Sequence, residues 1–374
     1  MHSLPHRAAP RATHPTTSTR ARRWRRRATL VAAALVAGAG IAQAGTGWRE
    51  VPGVAGDGPV TVFYPTEQAD QAQPVARGHL VLPLAAEAAV RPGNGRLVVF
   101  SHGSGGSPWV HADLARRLVA QGYTVAVPQH RADHYRDPSG PGPESWVRRP
   151  AEVSRAIDAV AADPALAGHL QLDRVGVYGM SAGGHTALSL AGGRWSPQRF
   201  AQHCQAHLAD DFNACVGLFT RLTGGWADGL KLWLADTVLR LRFRDDTPQV
   251  HHDPRVAAVV AAVPAAADFD PASFQTLQAP LGLVTAAQDR WLHPRFHSDR
   301  VLAACPACEH VAHLPDGGHG ALLSPLPPGL TGLVADLLND PPGFQRQQAL
   351  PAVDAAIQAF FDRHLRASPT VAGR

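Results

Sequence analysis

Short, unbroken apolar runs alternate with stretches of helical periodicity along most of this chain, and that alternation narrows the fold more than any other feature. Residues 59–64 (PVTVFY), 96–101 (RLVVFS), 123–128 (YTVAVP), 174–178 (RVGVY), 255–263 (RVAAVVAAV), 280–285 (PLGLVT) and 309–314 (EHVAHL) read as strands, with 79–82 (HLVL) as a shorter one. Between them, 109–121, 150–163, 184–191 and 352–365 read as helices; Val153, Ile157 and Val160 share one face, as do Val353, Ile357, Phe360 and Phe361. Strands without polar alternation are apolar on both faces and need cover on both. Helices lying between such strands supply it, so the expected class is α/β, with a mostly parallel central sheet and helices on its two faces. A chain of 374 residues holds one large domain or two modest ones. Residues 219–246 interrupt the alternation with Trp226, Leu230, Trp233, Leu234, Val238 and Leu241. They read as one or two helices inserted between strands, either a small cap over a site or a surface excursion.

The chemistry centres on Gly179-Met180-Ser181-Ala182-Gly183, between the expected strand 174–178 and the expected helix 184–191. A GxSxG string alone is weak. A strand-turn-helix around it is the setting of a nucleophile elbow, in which a sharp, strained turn lifts a serine hydroxyl above the sheet. The glycines keep Cβ atoms away from the neighbouring strand and helix. The helix N-terminus behind the serine favours negative charge beside it.

A second glycine-rich loop, Ser101-His102-Gly103-Ser104-Gly105-Gly106, also follows a strand. With no GK[ST] after it, it is not a phosphate-binding loop of the Walker type. Placed beside the elbow, it offers the backbone N–H of Ser104 as one oxyanion donor, with the N–H of Ala182 as the other. A serine nucleophile needs a base late in the chain. Of twenty histidines, His319 in Gly317-Gly318-His319-Gly320 follows the last strand in a flexible loop. The acid that orients it is expected at Asp289, after the strand 280–285, with Asp268 and Asp270, after the preceding strand, as rivals. His102 reads as a residue that structures its loop. Trp109, Trp226, Trp233 and Trp291 read as pocket lining or core.

Together the segments VTVFYPT (60–66), FSHGSGG (100–106), QGYTVAVPQH (121–130), RVGVYGMSAGGHTAL (174–188) and GGHG (317–320) resemble the α/β-hydrolase superfamily. The likeness is to bacterial dienelactone-hydrolase-like proteins, which are similar to platelet-activating-factor acetylhydrolases. It implies an α/β-hydrolase fold and a serine hydrolase acting on a small-molecule carboxylic ester through Ser181, His319 and Asp289, with no cofactor and no metal. A peptidase, thioesterase or lactonase would use the same apparatus. The class outside enzymes is a binding protein on a retained hydrolase scaffold.

Charge and leader bear on partners and destination. The formal charge is +5, but residues 1–44 hold eight arginines and no acid, so the remainder carries 5 − 8 = −3. A nucleic-acid partner is therefore not expected. Within that leader, Arg22 to Arg27 include five arginines, the stretch 28–42 is apolar, and Ala42-Gln43-Ala44 follows. This is the layout of a secretory signal ending near residue 44, too short in its apolar part to span a bilayer comfortably. Sec and twin-arginine export both remain open, and residues 45–374 are then one catalytic domain in a secreted or periplasmic protein. The four cysteines, Cys204, Cys215, Cys305 and Cys308, suit disulfides in an exported chain. Local pairing is preferred among three connectivities. A zinc ribbon would need a second CxxC beside Cys305-Pro306-Ala307-Cys308, and the chain has none.

Overall fold

The computed structural model describes residues 45–54, 56–69, 75–77 and 79–366. The secretory-signal reading of residues 1–44 lies outside them.

In chain order the strands are β1 (Gly45–Val51), β2 (Val60–Thr66), β3 (Val75–Arg77), β4 (Leu80–Leu82), β5 (Ala85–Ala86), β6 (Leu97–Ser101), β7 (Thr124–Pro128), β8 (Val175–Met180), β9 (Val256–Ala262), β10 (Leu281–Ala286) and β11 (Glu309–Leu314). The helices are α1 (Ala112–Ala120), α2 (Pro143–Ala162), α3 (Ala182–Leu190), α4 (Pro197–His207), α5 (Phe212–Val216), α6 (Asp228–Arg242), α7 (Ser298–Ala304), α8 (Gly332–Leu338) and α9 (Arg346–Phe361). Nine strands form one sheet in the order β11-β10-β9-β8-β6-β7-β2-β1-β5, and β3 and β4 form a separate pair. From β11 to β7 every pairing is parallel, while β2 runs antiparallel to both β7 and β1. The expected α/β class with a mostly parallel sheet is what the chain adopts.

Every residue of β6, β7, β8 and β10 is buried. Two apolar cores account for this. One, with Val153, Ile157, Leu188 and Trp195, lies under α2 and α3. The other, with Leu114, Leu118, Val353, Ile357 and Phe360, lies under α1 and α9 on the opposite face.

The strand order also explains where a site must form. From β6 the chain turns through α1 to β7 on one side, and from β7 it returns through α2 to β8 on the other side of β6. Where the winding reverses, the loops after β6 and β8 part and leave a crevice at the carboxyl ends of the strands, the usual ligand position in open α/β sheets. The loops concerned are 102–107 and the turn at Ser181.

The structure corrects one helix. Pro150 reads as a helix start, because proline suits the first turn and breaks an interior. The helix instead begins at Pro143, runs through Pro150 and ends at Ala162. Buried Trp146 and Arg149 anchor the extra turns. The inserted segment holds one helix, α6, packed on α4. Its buried residue is Leu239, while Trp226 is 95% and Trp233 63% exposed.

On the opposite core, Asp354 of α9 faces inward, and burial pushes its carboxyl up to about 6, with Arg117 opposing and Asp113 adding to the rise. A carboxyl with a raised native value favours folding in its protonated form, and that contribution is lost as pH climbs from the unfolded value through about 6. Asp354→Asn keeps the neutral shape at every pH. It is expected to stabilise the protein by about 1–3 kcal/mol at pH 8, a rise in Tm of roughly 2–6 °C, and to change little at pH 4. Thermal melts of both proteins across that range check it; an equal shift at both pH values would refute the assignment.

Candidate active site

Ser181 stands on a backbone no ordinary turn adopts, with φ +60° and ψ −120°. A non-glycine residue there carries on the order of 1–3 kcal/mol of strain and persists only where its surroundings impose it. They do so here. The Ser181 N–H donates to Ala262 O at 3.0 Å, and Ser181 O accepts from the N–H groups of Ala265 and His185, both at 3.1 Å. The flanking glycines are obligatory. A Cβ on Gly179 would lie 1.9 Å from Gly183 O, and one on Gly183 would lie 1.8 Å from Ser101 O. The close approach of Gly183 to Ser101 draws the end of β6 against the elbow.

The histidine expected as base lies in the loop after β11. His319 is 5% exposed, and its Nε2 accepts from Ser181 Oγ at 2.9 Å. Its Nδ1–H donates to Asp289 Oδ2 at 2.7 Å. The other oxygen of Asp289 is already engaged, with Oδ1 accepting the N–H groups of Trp291 and Leu292, each at 2.8 Å. That turn fixes the carboxylate, so only Oδ2 faces the imidazole. The Asp289 and His319 loops are tied together where Gln288 N–H donates to Gly317 O at 2.9 Å. Arg346 holds the His319 loop by donating to Gly320 O and Ala321 O at 2.8 and 2.9 Å.

The rival carboxylates are occupied elsewhere. Asp268 is 1% exposed and bonds His185 Nε2 at 3.0 Å, with His185 stacked on Trp146 at 4.4 Å. Asp270 caps a short helical turn through Ala272 N–H and pairs with Arg194 at 3.2 Å. Neither bonds His319. His310 and His313 both bond Thr285 Oγ1 at 2.8 Å, away from the elbow.

The loop after β6 lies over Ser181. A Cβ on Gly103 would be 3.4 Å from Ser181 Cβ. The N–H groups of Ser104 and Ala182 donate to no acceptor among the described residues. The loop is braced by groups that sequence reasoning missed. Arg149 and Asp133 are both fully buried and paired at 2.7 Å. Burial alone would raise the Asp133 carboxyl; Arg149 and the donor from Ser104 outweigh it and hold it down at about 2. A second brace runs from Glu152 Oε2 to His130 Nδ1 at 2.6 Å and from His130 Nε2 to Ser101 Oγ at 2.8 Å. Burial, with Arg149 nearby, drives His130 well below the ordinary imidazole range, so it is neutral, donating to Glu152 and accepting from Ser101. His102 packs on His130 at 4.8 Å with its Nδ1 bonded to Gly103 O at 2.8 Å. A signal for these groups exists in the sequence. Once α2 is extended back to Pro143, Arg149 and Glu152 fall on the stripe that continues through Val153, Ile157 and Val160, and a charge on a buried stripe requires a partner.

Of the four tryptophans considered above, Trp109 and Trp291 are buried, whereas Trp226 and Trp233 are exposed on the inserted segment. A hollow of about 440 Å³ lies beside Arg194, Trp195, Arg199 and Asp270, apart from the hydrogen bonds that join Ser181, His319 and Asp289. His203, Asp211 and His297 are buried with their ligand-type atoms within 4.8 Å of one another. The hydrogen bonds argue against a metal between them. Ala266 N–H donates to His297 Nδ1 at 2.9 Å, which places the ring proton on Nε2. That N–H points to Asp211 at 3.1 Å, and His203 Nε2 bonds the same oxygen at 2.8 Å. Burial would raise Asp211; the two imidazoles outweigh it and hold its carboxyl far below the usual range.

Next to that knot, Cys204 is disulfide-bonded to Cys215, and Cys305 to Cys308, the local pairing. Two disulfides fit an oxidising or extracellular compartment. No helix among the described residues is long and apolar enough to cross a membrane.

The chain matches no protein-family profile and no curated protein. Among solved structures it is similar to a ferulic acid esterase from Streptomyces cinnamoneus, at 20% identity and a TM-score of 0.55, over 91% of this chain and 95% of that one. With the nine-stranded, mostly parallel sheet and its helices on both faces, that likeness establishes that the chain has the α/β-hydrolase fold.

Proposed function

We propose that this protein is an exported serine esterase. The observation that carries the reading is one continuous line of hydrogen bonds, from Asp289 to His319 to a Ser181 held on a strained elbow. In the reaction, Ser181 Oγ attacks the ester carbonyl while His319 Nε2 takes its proton. The N–H groups of Ser104 and Ala182 hold the oxyanion. The imidazolium, stabilised by Asp289, then protonates the leaving alcohol, and water repeats the sequence on the acyl-enzyme to free the acid. This chemistry calls on no cofactor or metal.

A small-molecule ester is the substrate class. The structural neighbour is itself an esterase, and the sequence segments resemble those of dienelactone-hydrolase-like proteins and platelet-activating-factor acetylhydrolases. Residues 219–246 act as a cap. Arg221 pairs with Asp336 of α8, which packs against the His319 loop. Arg242 pairs with Glu144 at the start of α2 at 2.7 Å. The segment is thus tied on both sides of the crevice. The layout of the leader and the two disulfides support the export part of this reading.

The test combines a fluorophosphonate probe with p-nitrophenyl esters of increasing acyl length. The expected result is stoichiometric labelling of the peptide carrying Ser181 and turnover that depends on chain length. Labelling without ester turnover would move the reading to a peptidase. Absence of both would leave a binding protein on a hydrolase scaffold.

A further inference from the structure

We propose that Arg149 and Asp133 are positioning residues that set the oxyanion-hole amide of Ser104, so that α2 governs transition-state binding from behind the site. The inference rests on the serine-hydrolase reading above. The N–H in question belongs to the peptide between Gly103 and Ser104, and the structure locks the peptide on each side of it. On one side, Arg149 donates to His102 O at 2.6 Å. On the other, Asp133 Oδ1 accepts Gly105 N–H at 3.0 Å and Ser104 Oγ–H at 2.5 Å. The two locks are one unit, because Arg149 donates to Asp133 Oδ2 at 2.7 Å and, less closely, to Asp133 O at 3.3 Å. Arg149 is itself held by Ser145 Oγ at 2.8 Å.

Between the locks, Gly106 N–H donates to Gly103 O at 3.0 Å. In a trans peptide the C=O and N–H point in opposite directions. Engaging Gly103 O toward Gly106 therefore turns the Ser104 N–H the other way, out of the turn. A glycine-rich loop has little stiffness of its own, so this orientation comes from its partners. The pair is an expensive device for mere packing, since two apolar side chains of similar volume would fill the same space without burying charge. What the ions add is direction: a forked guanidinium that grips a carbonyl and a carboxylate together.

The measurement is kcat and KM per active site, counted by fluorophosphonate titration, for wild type, Ser104→Ala and Asp133→Asn, with the inhibition constant of a trifluoromethyl ketone, which forms a tetrahedral oxyanion adduct. Ser104 is solvent-exposed, so Ser104→Ala folds even if Asp133→Asn is impaired. Both variants are expected to lose about 10- to 100-fold in kcat, the scale of a small misplacement of a reacting group, with KM within about twofold. The ketone should bind more weakly by the same factor as kcat/KM falls. A purely structural role would lower the number of titrated sites and leave kcat per site and the inhibition constant unchanged; that result in both variants overturns the inference alone. A wild type that neither labels nor turns over ester removes the serine-hydrolase reading and this inference with it.

Discussion

Ser181→Ala should lower kcat for p-nitrophenyl ester hydrolysis by about 10⁴- to 10⁶-fold, and His319→Ala should lower it to the same floor. The equality matters more than the size. If Oγ attacks only as His319 Nε2 takes its proton, each residue is useless without the other, and the double variant loses no more than either single one. The 2.9 Å bond between them is the structural basis for that non-additivity. KM should change little, because the N–H groups of Ser104 and Ala182 and the crevice walls proposed to bind the ester remain. Folding should be spared in Ser181→Ala, since alanine retains the Cβ and the backbone bonds to Ala262, Ala265 and His185 that fix the elbow. Steady-state kinetics on the two single variants and the double variant decide it. A Ser181→Ala protein that keeps a percent of wild-type kcat would end the acyl-enzyme mechanism, and additive losses would mean that His319 acts on something other than Ser181.

The legible parts of this molecule were those where one residue type answers one physical demand. The apolar runs 96–101 and 174–178 match β6 and the start of β8 within a residue, because a strand buried on both faces tolerates no polar interruption. Gly179 and Gly183 were legible because only hydrogen fits at each: a Cβ there would lie under 2 Å from a carbonyl oxygen. The expected trio of Ser181, His319 and Asp289 lies within hydrogen-bond reach in the structure. The illegible parts depend on partners far along the chain. Asp133 sits in a polar, proline- and glycine-rich stretch that offers no periodicity, and its meaning comes from Arg149 and Ser104. Arg149 was hidden by Pro150, which mimics a helix start at a point where α2 has already made two turns. Strand β1 (GTGWREV) offers no apolar run, and its Gly47 makes sense only beside Tyr64 of β2, whose ring would lie 2.3 Å from a Cβ there. Asp268 follows a strand just as Asp289 does, and only the fold reveals that it bonds His185.

That last ambiguity yields the sharpest test of the site. Asp289→Asn should lower kcat by about 10⁴-fold, the scale seen when a triad histidine is held in the wrong tautomer. The reason lies in the turn that holds the acid. Oδ1 accepts two backbone N–H groups, from Trp291 and Leu292, so an asparagine must place its oxygen there and present its NH₂ to His319 Nδ1. A donor facing Nδ1 makes that nitrogen the acceptor and moves the ring proton to Nε2, where it faces Ser181 Oγ and cannot take a proton from it. The shape of the site is unchanged, so Tm should fall by no more than a few degrees and KM should hold. Asp268→Asn has the opposite profile. Its partner His185 is fully buried against Trp146 and Trp195, so its loss should appear in Tm, with kcat per titrated site within about threefold of wild type, as for a substitution that leaves the reacting groups in place. Measuring kcat and Tm for the two variants side by side separates the roles. If Asp268→Asn proved the more damaging to kcat per site, the acid would belong after β9 and not after β10, and the hydrogen bond from His319 to Asp289 would be structural.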